Sequence, residues 1–246
     1  MRIPVEALLR GHPFAGEILC RLREAGHDAV LVGGAVRDAV LAELQGRVFT
    51  AQDVDIATSA PPAEVERLFA DWRVLPVGQS FGVVVVVAPG SSQYEVATFR
   101  TEEGYSDGRR PDHVRWGTLD EDVRRRDFTV NGLAVTAEGE VVDLVNGLPD
   151  LRDGTIRAIG DPDARFAEDR LRMLRAVRFA CQLGFTIEES TAAAIRAHAA
   201  RITAVSWERV RDEILRTLGT ARSGQGILLL EDLGLLDHVL PEIATL

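Results

Sequence analysis

Asp53 and Asp55 flank an apolar Val54 and lead into Ile56 and Ala57. Read as a strand, this stretch puts both carboxylates on one face, about 7 Å apart over two strand steps. Two anions at that spacing repel each other and raise a pKa. Divalent cations would remove the conflict, and carboxylate oxygens are the ligands that hard Mg²⁺ prefers. A D-x-D spelling alone is more often a solvated pair in a turn, so its surroundings have to decide. Roughly twenty residues upstream runs Leu31-Val32-Gly33-Gly34-Ala35-Val36-Arg37-Asp38, a short apolar strand turning into a helix. At such a junction Gly33 and Gly34 let backbone approach a ligand closely and turn free N–H groups toward an anion. Arg37, one turn into the helix, adds a charged fork for phosphate. A glycine turn followed by a two-carboxylate strand is an arrangement for a triphosphate and its metals.

Three further stretches carry chemistry. In Gln93-Tyr94-Glu95-Val96-Ala97-Thr98-Phe99, alternation puts Glu95, Ala97 and Phe99 on one face. Glu95 is then either a third acid beside the aspartates or a solvent-facing edge residue. The run Arg124-Arg125-Arg126-Asp127-Phe128-Thr129-Val130-Asn131 begins as a basic face and ends in an acid, a core-type ring and an amide. Asp127 or Asn131 can hydrogen-bond a ribose 2′-hydroxyl. Last, Glu168-Asp169-Arg170-Leu171-Arg172 opens a helical pattern in which Asp169 and Arg172 are neighbours on one face, with Arg175 and Arg178 continuing in steps of three. Taken alone, that pattern is equally an intrahelical ion pair, worth at most about 0.5 kcal/mol.

In this order the motifs resemble those of the polymerase-beta-like nucleotidyltransferases, specifically the class II tRNA nucleotidyltransferase and bacterial poly(A) polymerase family. The resemblance runs from Leu31 to Pro241, with Gly132 standing where alanine is common. It implies Asp53, Asp55 and Glu95 as catalytic residues, with Asp53 and Asp55 holding two Mg²⁺ ions. It implies Gly33, Gly34 and Arg37 at the triphosphate, and Arg126, Asp127, Asn131, Asp169, Arg172, Arg175 and Arg178 as further nucleotide contacts. Asp169 and Arg172 would act as an amino-acid template for the base. Cytosine and adenine each offer a donor beside an acceptor, which an Asp acceptor and an Arg donor satisfy; uracil and guanine offer the reverse order. Buried polar groups left unpaired discriminate by ~10⁴ or more. The expected reaction is CCA addition: attack of a tRNA 3′-hydroxyl on the α-phosphate of CTP or ATP. The rivals are poly(A), CC-only or A-only addition within the family, and a non-catalytic RNA- or nucleotide-binding module outside it. The family usually continues into further helices that hold the tRNA, and that body and tail region is expected to be absent from this chain.

These residues need elements to carry them. The first 158 residues interleave strands with a few helices, at residues 14–25, 35–44 and 62–70, which argues for an α+β head with a mixed sheet covered on one side. Residues 101–118, including Arg109 and Arg110, read as an irregular polar loop, which the resemblance makes a flexible element of the site. After Gly160-Asp161-Pro162-Asp163 the pattern is helical throughout, with one helix over 165–183, so residues 159–246 are expected to form an all-helical neck. The net charge of −10 excludes nonspecific coating of nucleic acid but not local arginine clusters that grip phosphates. Cys20 and Cys181 are expected as core thiols. With no signal-peptide pattern and no stretch long enough to span a bilayer, the expected compartment is the cytoplasm and no membrane partner is expected.

Overall fold

A computed structural model describes residues 1–78, 81–105 and 113–244. The chain divides into two compact units. The first comprises residues 1–102, 114–126 and 131–148; the second comprises residues 103–113, 127–130 and 149–246. The expected border at 158/159 and this division differ. The reason is backbone pairing: the Thr129 N–H donates to the Arg157 carbonyl and the Ile159 N–H to the Asp127 carbonyl, so residues 127–130 and 157–159 pack as one ladder.

The first unit contains α1 (Glu6–Leu9), α2 (Ala15–Glu24), β1 (Ala29–Val32), α3 (Gly34–Leu44), β2 (Asp55–Thr58), α4 (Pro62–Leu68), β3 (Arg73–Leu75), β4 (Val83–Val87), β5 (Gln93–Thr98), β6 (Arg100–Glu103), β7 (His113–Trp116), α5 (Leu119–Arg124), β8 (Leu133–Val135) and β9 (Val141–Asp143). Seven strands form one sheet in the order β3-β4-β5-β2-β1-β8-β9. It is mixed because β2 and β5 run parallel while the other recorded pairs are antiparallel. One face is mostly apolar: Leu31, Ile56, Val84, Val86, Tyr94 and Val96 are buried in register across it, with Thr58 and Thr98 buried beside them. Each such aliphatic burial is worth roughly 1.5–3 kcal/mol, which holds the strand order. On the other face a smaller cluster of Val30, Val32, Ala57, Phe99 and Ala134 is covered in part by Leu119 and Val142. Beyond that cluster the face carries Asp55, Glu95 and Val85.

The expected irregular stretch at 101–118 is corrected in part, since β6 and β7 pair as a two-stranded ribbon. Arg109 and Arg110 lie outside the described residues. Cys20 is exposed and donates to the Glu24 carboxylate at 3.2 Å, so only Cys181 is a core thiol.

The second unit contains α6 (Gly147–Asp153, which begins in the first), β10 (Thr155–Ile156), α7 (Pro162–Glu168), α8 (Arg172–Leu183), β11 (Thr186–Ile187), α9 (Glu189–His198), α10 (Trp207–Leu218), α11 (Ser223–Asp232), α12 (Leu236–Val239) and α13 (Pro241–Ala244). Apart from the parallel β10–β11 pair, the Phe128–Ala158 bridge and the residues Glu103 and His113 that end β6 and begin β7, its described elements are helical. The expected single helix over 165–183 is two helices. Asp169 takes an extended conformation after α7, and its Oδ1 accepts the Leu171 N–H at 3.1 Å. That local side-chain bond competes with the helical ladder and breaks it. Ser206 is the N-cap residue of α10, as its position suggests, but its hydroxyl makes no cap bond. Among the described residues no helix is long and apolar enough to cross a membrane.

Candidate active site

The site in the first unit starts from Gly33. It leaves β1 with φ +85°, a backbone region glycine enters freely, and α3 begins at the next residue. A Cβ at Gly33 would lie 2.6 Å from Asp55 Oδ2, so glycine is what lets the carboxylate lie against the turn. Gly34 is exposed at the head of α3, where a Cβ would meet only ordinary contact. Val32 faces Asp55 in register, and β1 ends there. Asp53 is therefore not in the strand as expected: with no β1 residue left to pair, β2 starts only at Asp55, and Asp53 is exposed just ahead of it.

Glu95 lies one step before the Ile56–Val96 pair of the parallel strands, opposite Val85 of β4, and is exposed. Asp55, Glu95 and Val85 thus share the less covered face, and Phe99 on the same face is buried in the small cluster. Burial first, then the Glu95 and Asp53 carboxylates, push Asp55 up from 3.8 to about 6, against the pull of Arg126. Asp55 and Glu95 on one face, with Asp53 just ahead of the strand and close enough to act on Asp55, are a donor set suited to a hard cation. Among the described residues no group of three or more His, Cys, Asp or Glu forms a ready cage. Mg²⁺ sites commonly use one or two carboxylates and complete the shell with water and substrate phosphate, so the residues present fit the ion.

Arginines line the other side of this chemistry. Arg37 is 3 % exposed; its Nη1 donates to Asn131 Oδ1 at 2.9 Å, and its Nε and Nη2 reach Asp38 Oδ1, each at 2.8 Å. It holds Asn131 from within the unit rather than standing out as a bare fork. Arg126 donates to Asp122 Oδ2 at 3.0 Å and to the Asn131 carbonyl at 3.5 Å, while its Nε is buried without a partner. A buried unpaired guanidinium donor costs about 1–3 kcal/mol or more, which a ligand oxygen would recover.

In the second unit, Asp127 Oδ1 accepts the Phe128 N–H at 2.8 Å, and its Oδ2 takes Arg175 Nε at 2.7 Å and Nη2 at 2.6 Å. Arg172 is 9 % exposed and is bound to Glu168 Oε2 at 2.7 Å and the Arg165 carbonyl at 3.2 Å. Asp169 Oδ2 accepts Arg209 Nη2 at 2.8 Å. Asp169 and Arg172 thus do not share a helix face as expected: they end one helix and begin the next, each with a different partner. Arg178 is buried against Glu213 at 2.6 Å and lies 4.0 Å over the Phe179 ring. Arg209 and Asp122 escaped the sequence reading. Arg209 comes from a helix forty residues away, and Asp122 sits in the acidic run Asp120-Glu121-Asp122, which by itself points to no site.

Residues 29–157 match the poly A polymerase head domain, and residues 184–246 match the domain described as the probable RNA and SrmB-binding site of polymerase A. The CCA-adding enzyme of Latilactobacillus sakei is 45% identical over 228 residues, covering 92% of this chain and 55% of that protein. Its counterpart from Lactiplantibacillus plantarum is 50% identical over 200 residues, covering 81% and 47%. The crystal structure of the Bacillus stearothermophilus CCA-adding enzyme in complex with CTP is similar with a TM-score of 0.80 and 40% identity, covering 91% of this chain and 53% of that one. A tRNA nucleotidyltransferase complexed with a primer tRNA and an incoming ATP analog has a TM-score of 0.73 and 28% identity, covering 91% and 62%. The chain spans about half the length of the curated relatives it matches. With the glycine turn, the carboxylate strand and the arginine run all inside the matched 29–157 segment, the chain belongs to the poly A polymerase head domain family.

Proposed function

We propose that this chain carries the nucleotidyl-transfer site of a tRNA nucleotidyltransferase, which adds CMP and AMP from CTP and ATP to the tRNA 3′ end without a nucleic-acid template. The observation that carries the reading is the Gly33–Asp55 approach, a positive-φ glycine against a carboxylate pushed up to about 6 by burial and its acidic neighbours. The head, residues 1–158, would do the chemistry, and the helical neck, residues 159–246, would select the base. Two Mg²⁺ ions held by Asp53 and Asp55 would supply activation of the 3′-hydroxyl and stabilisation of the leaving pyrophosphate. Glu95 would add negative charge beside them. Backbone N–H groups at Gly33 and Gly34 would take phosphate oxygens at the start of α3. Arg37 would keep Asn131 in place for the ribose, and Arg126 would offer its buried Nε to substrate.

In the neck, Asp169 and Arg172 would read the base edge only after leaving Arg209 and Glu168. Arg175 would hold Asp127, and Arg178 would hold α10. The activity would operate in the cytoplasm, where nucleoside triphosphates and tRNA are available.

The test is incorporation of each labelled nucleotide into tRNA ending before CCA, after CC, or after CCA. C, C and A added in order supports the reading. A run of A on any RNA points to poly(A) synthesis, and no incorporation with nucleotide still bound points to a non-catalytic module.

A further inference from the structure

Asp122 is a heavily bonded carboxylate in the first unit. It is 2 % exposed on α5. Its Oδ1 accepts Arg125 Nε at 3.0 Å, Arg125 Nη2 at 2.6 Å and the Arg100 backbone N–H at 3.4 Å. Its Oδ2 accepts Arg126 Nη2 at 3.0 Å. The helix is fixed at its start by a reciprocal cap between Thr118 and Glu121, worth about 1 kcal/mol. Arg125 and Arg100 both continue to Glu102 Oε1, at 3.1 Å and at 2.6–2.9 Å. Burial alone would push the Asp122 carboxyl up, but the two guanidiniums outweigh it and hold it below the ordinary range.

What this leaves at Arg126 is informative. One edge is clamped by Asp122, the Asn131 carbonyl is at the long limit of 3.5 Å, and Nε is buried with no partner among the described residues. Its charge acts on Asp55. A purely structural arginine would spend its donors on the protein, as Arg178 does on Glu213 and Gln182. Arg126 instead keeps a buried donor unspent beside the carboxylate face.

We propose that Asp122 is a positioning residue that holds the Arg126 guanidinium ready for an oxygen of the triphosphate of the incoming nucleotide. The proposal rests on the nucleotidyl-transfer reading above. Without the Asp122 carboxylate, Arg126 is free to swing onto Asp55 or Asn131, and the substrate loses a preset charge-assisted bond. Because Asp122 also takes the Arg100 N–H and shares Arg125 with Glu102, it ties the start of β6 to the same guanidinium.

The experiment measures equilibrium binding of CTP, and of inorganic triphosphate as its competitor, to wild type, Asp122→Asn, Arg126→Ala and the double variant. The expected result is about tenfold weaker binding of both ligands to Asp122→Asn, the loss of one charge-assisted hydrogen bond. The double variant should bind no more weakly than Arg126→Ala alone, because both changes remove one interaction. Losses that simply add, or a lowered melting temperature with unchanged affinity for both ligands, would make Asp122 structural only and overturn the proposal. A loss for CTP but not for triphosphate would move the contact to the nucleoside and overturn it too. If Asp122→Asn fails to fold, Asp122→Glu keeps the charge but misplaces it; unchanged affinity there overturns the proposal, and a several-fold loss supports it. Wild-type protein that bound neither ligand would overturn the nucleotide-site reading itself.

Discussion

The acidic face of the sheet and the junction between α7 and α8 treat charge in opposite ways. On the sheet, Asp55 lies near Glu95 and Asp53 with only Arg126 to offset them, and it is pushed up to about 6. At the junction, Asp169 and Arg172 are each matched to a neighbour, Arg209 and Glu168. The first arrangement is poised to gain a cation. The second already satisfies its charges and, in the proposed role, would have to exchange internal partners for a substrate edge. An unmet charge favours binding, whereas a met charge sets a cost that only a correctly patterned partner repays, which is how specificity arises.

The comparison can be broken at either end, beginning with the metal face. Asp53→Ala and Asp55→Ala should each lower nucleotide incorporation at least about 10³-fold, since several kcal/mol of charge stabilisation would go with the carboxylate. Incorporation within tenfold of wild type would remove the cation role.

Gly33→Ala comes next. Its φ of +85° and the 2.6 Å approach to Asp55 Oδ2 mean strain and a displaced carboxylate together. A stability loss of about 1–3 kcal/mol is expected in chemical denaturation, with a larger proportional loss of activity. A fully active alanine variant would show that the approach is dispensable.

At the junction, Arg172→Ala should cut the CTP-to-UTP incorporation ratio by roughly 10- to 100-fold, and Arg209→Ala should lower it less by leaving Asp169 unfixed. Equal ratios in wild type and both variants would reduce the junction to packing. Glu95→Gln should slow turnover about tenfold at limiting Mg²⁺ and less at saturating Mg²⁺, as expected of a group that adds charge without being indispensable. Turnover unchanged at both concentrations would place Glu95 outside the site.

The smallest effect is on stability against pH. Asp55 titrates higher in the folded chain than its ordinary 3.8, so the folded state binds the proton more tightly. The resulting stabilisation is fully present below about pH 4 and is lost as pH rises through about 6. After screening at this partly exposed group it is on the order of 2 kcal/mol. In metal-free buffer, the melting temperature of wild type relative to Asp55→Asn should therefore fall by a few degrees between pH 4 and pH 7, and saturating Mg²⁺ should reduce the fall. A flat difference would mean that neither burial nor the neighbouring carboxylates shifts Asp55.

Local rules were enough for much of this. Gly33 at a strand-to-helix turn and the alternation that puts Glu95, Ala97 and Phe99 on one face of their strand both follow from backbone freedom and the period of apolar residues. Such features depend on residues within a few positions of one another, so the sequence determined them by itself. What it did not determine is who partners whom. Asp53 fell outside β2 because β1 runs out at Val32, a fact about the neighbouring strand. Asp169 and Arg172 separated because an Asp side chain took the Leu171 N–H and Arg209 arrived from α10. Arg37 turned inward to Asn131, ninety-four positions away, and Asp122 became a hub only when β6 came alongside α5. Charges find partners by distance in space, and for an arginine with a long flexible stem many acids satisfy the sequence pattern equally. Only the tertiary structure chose among them.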